Sequence, residues 1–452
     1  MLQIVDGNSS QNRGGLSRRG MMREMMRLGA FGSVGLTLPQ LLQASPDDRR
    51  QKSCILVFAN GGPAQLDTFD PKPDAPEQIR GEFHSIETAA PGMRICEHLP
   101  KLARLAKEFS LIRTVSHNDS LHTSATYYAL TGHKPPKMTL DMNPAPQDMP
   151  SVGSVMAKLR PAKRTLPSYV IEPQLCYDAG RTQTGQYAGF LGTPADPLVA
   201  VGDPNSEKYE VQGLRLNASI GLPRMESRRK ILDSLDRQLD FLGKSVEGKS
   251  VDYYHNKAYE LLSSNEAKAA FDLTAENDAT RERYGRNRYG QSYLLARRLI
   301  ESGVRMVMVN DNIGTNNDRW DTHSGNFGPL RKHLPQADAG LSSLIEDLRQ
   351  RGLLDTTLVI WMGEMGRTPT GGHTGHWPQC YSVLMAGGGI KGGRIYGRSD
   401  KHASYPAADG CSPGDVIATI YHALGIPAHT TLMDLDDRPI HLYNGKPISQ
   451  LF

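Results

Sequence analysis

The side chains best suited to chemistry fall in four short groups. Asn60 and Asp67 flank a Gly61-Gly62-Pro63 turn. Ser116–Ser124 packs His117, Asp119, His122, Thr123 and Ser124 together, Asp321 and His323 stand two residues apart, and Glu364, Arg367, His373 and His376 follow one another closely. Carboxylates and imidazoles that converge from separate segments are what a divalent cation needs. The spacing therefore points to a metal site drawing on Asp67, Asp321, His323, Glu364, His373 and His376. Two readings stay open at single positions. Gly363-Glu364-Met365-Gly366-Arg367 also suits a tight turn closed by an ion pair, and Asp67 suits an Asx-type turn.

Such groups meet only if regular elements deliver them to one place. Cys54–Phe58, Ser110–Val115, Val304–Val309, Leu358–Met362 and Tyr381–Ala386 are short apolar runs of the kind buried on both faces of a parallel sheet. Leu99–Phe109, Ala125–Thr131, Gln291–Ser302, Leu341–Arg351 and Ser412–Gly425 carry helical spacing. The alternation predicts a three-layer α/β fold, a mostly parallel sheet flanked by helices, with the polar groups at the carboxyl ends of strands. His122, Thr123 and Ser124 then lie at a helix start, where backbone N–H groups favour an anion; Ser124 equally suits a plain N-cap. Residues 134–148 read as a loop, residues 387–393 as a glycine-rich hairpin-like turn, and about 200–285 as a mainly helical insertion.

Charged residues make up 22% and hydrophobic residues 38% of the 452, a globular composition. About three of the four net positive charges sit in residues 1–44, where five arginines face only Asp6 and Glu24, so the charge gives no support for a nucleic-acid partner. Arg18-Arg19 precedes the uncharged run Leu28–Leu42. That pattern predicts a twin-arginine export signal over residues 1–44, handled by the twin-arginine translocase, ahead of a domain over 45–452. The run is short for a membrane span, so the mature form is expected to have none, in the periplasm or outside the cell. The five cysteines are scattered, and an odd number cannot all pair internally.

Several stretches resemble known families. Leu130-Thr131-Gly132-His133 with Pro135, and the strand ending at Gly363-Glu364, are similar to sulfatase signatures. Gly61-Gly62-Pro63-Ala64-Gln65-Leu66-Asp67-Thr68-Phe69-Asp70-Pro71-Lys72, Trp320-Asp321-Thr322-His323 and Gly363–Pro369 look like the family called domain of unknown function 1501, regarded as a branch of the alkaline phosphatase and sulfatase superfamily. The resemblance runs from about residue 15 to the C-terminus. It implies a divalent metal (zinc, calcium or magnesium) beside a nucleophile, acting on an anionic sulfate or phosphate ester such as a sulfated carbohydrate. By position it puts His122 at the nucleophile, with Thr123 as the nearest hydroxyl, Asn60 near the acid of the first strand, and Arg367 on the anion; Asn60 and Ser124 are the anion-binding candidates. Two positions depart from the pattern. His122 is neither the Cys nor the Ser that sulfatases modify, and Met365 replaces a ligand histidine although thioether is no ligand for a hard cation. A non-catalytic anion- or carbohydrate-binding or structural protein that kept the fold is the alternative.

Overall fold

The computed structural model describes residues 52–163, 165–178, 180–211, 259–312 and 319–452. The export signal expected over 1–44 lies outside them, as does 212–258 within the expected insertion. Near its edges, Asn265–Phe271 and Asp278–Tyr284 are helical.

Eight strands make the central sheet: β1 (Ser53–Phe58), β2 (Phe109–Val115), β3 (Tyr169–Glu172), β4 (Leu198–Val199), β5 (Met306–Asn310), β6 (Thr357–Met362), β7 (Tyr381–Ala386) and β8 (Ile395–Tyr396). Their order is β8-β2-β7-β6-β1-β5-β3-β4, and only β7 runs against the rest. β1 is central, with Ile55 opposite Val359 of β6 and Val307 of β5. Every residue of β1, β5 and β6 is buried, as expected where helices cover both faces.

The period-2 alternation of these strands divides the core into two layers. Ile55, Val57, Val307, Val309, Val359 and Trp361 face one side, where they pack with α3 (Arg288–Ser302) and α4 (Phe327–Gln350). Cys54, Leu56, Met306, Met308, Leu358 and Ile360 face the other, against α2 (Val152–Leu159) and α5 (Pro413–Ala423). α1 (His122–Thr131) joins this second layer through Ala129 and Leu130 and ends at Gly132 in the left-handed region.

Three elements differ from expectation. α4 begins fourteen residues before Leu341 because Pro335, which reads as a breaker, is accommodated inside it. The helix expected over Leu99–Phe109 shrinks to Pro100–Arg104, and strand β2 begins at Phe109. The glycine run after β7 makes no hairpin; it carries the chain past β2, where β8 pairs in parallel with Leu111 and Ile112. Among the described residues, no helix is long and apolar enough to cross a membrane.

Candidate metal centre

The carboxyl ends of β1, β5 and β6 lie side by side, and three loops plus the start of α1 converge there. Gly61, just after β1, has φ +112°, and a Cβ on it would sit 2.8 Å from the Asp321 backbone nitrogen. Glycine is therefore required for the β1 loop to touch the Asp321 loop. After β6, a Cβ on Gly363 would lie 2.8 Å from the Ala59 carbonyl oxygen, so the two central strands also exit in contact.

Four ligand-type side chains meet above this edge. His122, Asp321, His323 and His376 each present one atom, and these atoms lie within 4.8 Å of one another. Asp321 Oδ1 is 3.3 Å from His122 Nε2, 2.9 Å from His323 Nε2 and 3.7 Å from His376 Nε2. His376 Nε2 is 3.1 Å from His323 Nε2. Tetrahedral ligands with bonds of about 2.1 Å are separated by roughly 3.4 Å, so these distances fit a single small ion.

Neighbouring groups set which nitrogen faces the cluster. His376 Nδ1–H donates to the Ser120 carbonyl at 2.7 Å, leaving Nε2 inward. His122 Nδ1–H donates to Glu364 Oε1 at 2.5 Å, again leaving Nε2 inward. Glu364 itself is fully buried and accepts from the Gly61 N–H through both oxygens, at 2.8 and 3.1 Å. Its backbone carbonyl accepts from His117 Nε2–H at 2.7 Å. Burial opposes charge on His122, but the Asp321 and Glu364 carboxylates outweigh it and hold the imidazole at about 10. Asp321 is also desolvated, yet His122, His376 and Arg367 hold its carboxyl well below the usual range.

Three side chains expected as metal ligands are held elsewhere. Glu364 is spent on Gly61 and on orienting His122. Asp67 and His373 form a separate ion pair, His373 Nδ1 to Asp67 Oδ2 at 2.7 Å, while His373 Nε2 donates to the Ile79 carbonyl at 2.9 Å. With both nitrogens donating to acceptors, His373 offers no lone pair. Asn326, just ahead of α4, extends this chain: its amide donates to Asp67 Oδ2 at 2.6 Å and accepts from Thr322 Oγ1 at 2.7 Å. The network thus ties the loop of Asp321 and His323 to the loop of His376.

The groups expected at the anion are likewise redistributed. Arg367, 1% exposed, bonds Gly62 O at 2.9 Å, Thr374 O at 2.8 Å, Trp320 O at 3.1 Å, Gly61 O, and Asp321 Oδ1 at 2.6 Å. It clips three loops together instead of reaching toward a substrate. Ser124 lies inside α1, which starts earlier than expected, and its hydroxyl accepts from Thr139 N–H at 3.1 Å. Thr123 is buried in the first turn of α1, next to His122. Among the described residues the buried Asn60 Oδ1 has no hydrogen-bond partner. Sequence reasoning missed the parts played by His117 and Asn326. Asn326 carried no usable signal, because Pro335 keeps the first half of α4 from reading as a helical run.

The His373 pair gives a pH-dependent expectation. Burial lowers the His373 pKa, but Asp67 and the Ile79 carbonyl override it and raise it above the usual value. The stability it lends is therefore complete below about pH 6.5 and disappears as pH rises through the raised value. His373→Gln should cost about 1–3 kcal/mol at pH 6 and clearly less at pH 9, by urea unfolding in metal-free buffer. An equal cost at both pH values would show that the pair does not titrate between them.

Residues 51–452 match the family described as "Protein of unknown function (DUF1501)". The chain belongs to that family. Among curated proteins none matches this DUF1501 chain. Solved structures similar to it include Ps i-CgsB in complex with k-i-k-neocarrahexaose, at 11% identity and TM-score 0.41, covering 84% of this chain and 73% of that one. The PsFucS1 sulfatase from Pseudoalteromonas sp. is similar at 11% and 0.39, covering 94% and 74%. Alkaline phosphatase from the Antarctic bacterium TAB5 is similar at 12% and 0.38, covering 83% and 99%.

Proposed function

We propose that this DUF1501 protein is an exported, metal-dependent hydrolase of sulfate, phosphate or related anionic esters. The observation that carries the proposal is the meeting of three imidazole nitrogens and one carboxylate oxygen within 4.8 Å of one another. Such a nitrogen-rich set suits zinc better than calcium or magnesium, which prefer all-oxygen shells. When bound, the cation would supply Lewis acidity and lower the pKa of a coordinated water.

The protein's own residues have separate tasks. His122, His323, His376 and Asp321 hold the ion. Glu364 fixes the His122 tautomer, and Arg367 fixes the Asp321 oxygen. His323, half-exposed at 47%, marks the open side from which an ester enters. Thr123 and water are the two candidate nucleophiles, and Thr123→Ala separates them. The arginine pair of residues 18–19 supports export through the twin-arginine translocase, a route open to proteins already folded around a metal.

The test is metal analysis of the purified chain, thermal melts with chelator and with zinc, and turnover of aryl sulfate and aryl phosphate. Near-stoichiometric metal is expected. Zinc at 100 times its Kd should stabilise the protein by about 2.7 kcal/mol. Absence of both metal and zinc-dependent stabilisation would end the hydrolase reading. One observation favours a second reading, a metal-holding binding protein: the Arg367 guanidinium, the cation the sequence offers to an anion, is consumed internally. That reading predicts bound metal with turnover of neither ester.

A further inference from the structure

Behind the Asp67–His373 pair the surface opens into a cleft of about 190 Å³. Its lining includes Lys72, Arg80, Arg94 and His84, the hydroxyl-bearing Ser85 and the ring of Phe83, and contains no carboxylate. Three cationic side chains converge here although the folded domain as a whole carries almost no net charge. Two of the cations are already oriented. Lys72 pairs with the fully buried Asp70 at 2.9 Å, and Arg94 Nε donates to Ser85 Oγ at 3.0 Å while its other end meets the exposed Glu87. Asp70 is shared with Arg113 at 3.5 Å, so it does not cancel the charge of Lys72 alone.

Arg80 is different: among the described residues no carboxylate pairs with its guanidinium. The backbone nevertheless fixes its place. Arg80 ends the helical turn Glu77–Arg80, and the preceding Ile79 carbonyl accepts from His373. The next residue, Gly81, abuts the His373 and Phe327 rings so closely that a Cβ would lie 2.8 Å from each. Phe83, the floor of the cleft, packs edge-on against Phe327 at 5.3 Å, and Phe327 lies 5.4 Å from His373. His376 follows His373 by three residues. The cleft is thus linked through Phe327 to His373, whose loop also carries His376.

We propose that this cleft is a binding subsite for an anionic group, a sulfate or phosphate substituent on a ring-bearing ligand. The cations supply charge, and Phe83, Pro71 and Pro73 make up the apolar part of the lining. Arg80 is the unpaired fork that grips the anion. Anion binding at the cleft stands without the hydrolase reading. That the bound group belongs to a multiply charged substrate rests on that reading, and it would explain how a site whose own arginine is internally consumed selects anions.

The experiment titrates a sulfated hexasaccharide, inorganic sulfate and inorganic phosphate into the full chain by calorimetry, with and without prior chelation. The comparison proteins carry Arg80→Glu or Arg80→Gln. Among the described residues the Arg80 guanidinium makes no tertiary hydrogen bond or ion pair, so both variants should melt like the parent. Binding of the hexasaccharide should weaken about ten-fold or more in Arg80→Glu, less in Arg80→Gln, and should fall with added salt. It should survive chelation, which separates failure of the metal reading from failure of the subsite. In turnover assays Arg80→Glu should raise KM for the polysulfated ligand. Equal affinity in the parent and Arg80→Glu would overturn the proposal, as would binding lost wholly on chelation. Weakening by inorganic sulfate or phosphate in competition identifies the anionic group itself as the recognised part; competition only by uncharged sugar would overturn it.

Discussion

Protein carrying His376→Ala is expected to leave a zinc-containing buffer with far less than one ion per chain and to show no turnover above background. The reason lies in how little else His376 does. Its side chain is 21% exposed, its Nδ1 bonds one backbone carbonyl, and its Nε2 faces the cluster. Removing it takes away one of four ligand atoms and leaves the buried core untouched, so the metal-free melting temperature should stay close to that of the parent. Glu364→Gln gives the graded comparison. All four ligand atoms remain, but the carboxylate that accepts from His122 Nδ1–H is gone, and an outer-shell loss of this kind weakens metal binding by about 10–100-fold. Full metal content in His376→Ala would place the ion somewhere other than the cluster.

Much of the fold was legible because its strands are buried on both faces, so that Cys54–Phe58 and Leu358–Met362 stand out as apolar runs with no polar interruption. The first half of α4 was not, since Pro335 interrupts the helical pattern and only the surrounding packing compensates for it. The candidate site was legible as a place but not as a set of roles. Spacing brings Glu364, Asp67 and His373 near the right strand ends. It cannot show that the Gly61 N–H already occupies both Glu364 oxygens, or that the Ile79 carbonyl takes the second His373 nitrogen. Those partners are backbone atoms, which carry no residue-type signal. His122 shows the reverse case. Its position suggested a nucleophile, whereas its Nε2 is turned toward Asp321 by a carboxylate 242 residues away in the chain. Met365 also finds an explanation: it is fully buried, and a Cβ on Gly62 would lie 2.9 Å from its Cγ. It serves as packing beneath the β1 loop, and the ligand count is met without it.

Arg367→Met should be the most destabilising single change in this region, by about 3–5 kcal/mol or more. The guanidinium is fully buried as a side chain and pairs with Asp321 at 2.6 Å, so its loss leaves that carboxylate to His122, His323 and His376 alone. It also abandons the carbonyls of Gly61, Gly62, Trp320 and Thr374, each of which must then find another donor or remain unsatisfied. Arg367→Lys should recover little. A single ammonium keeps the charge but cannot span carbonyls from three separate loops as a planar fork does. Both variants should therefore lower the urea midpoint in metal-free buffer, and zinc should restore part of the loss because the ion takes over the neutralisation of Asp321. A zinc-independent loss would mean that the clip acts through the four carbonyls alone. A variant as stable as the parent would mean that the three loops hold together without it, and that Arg367 was free for the anion after all.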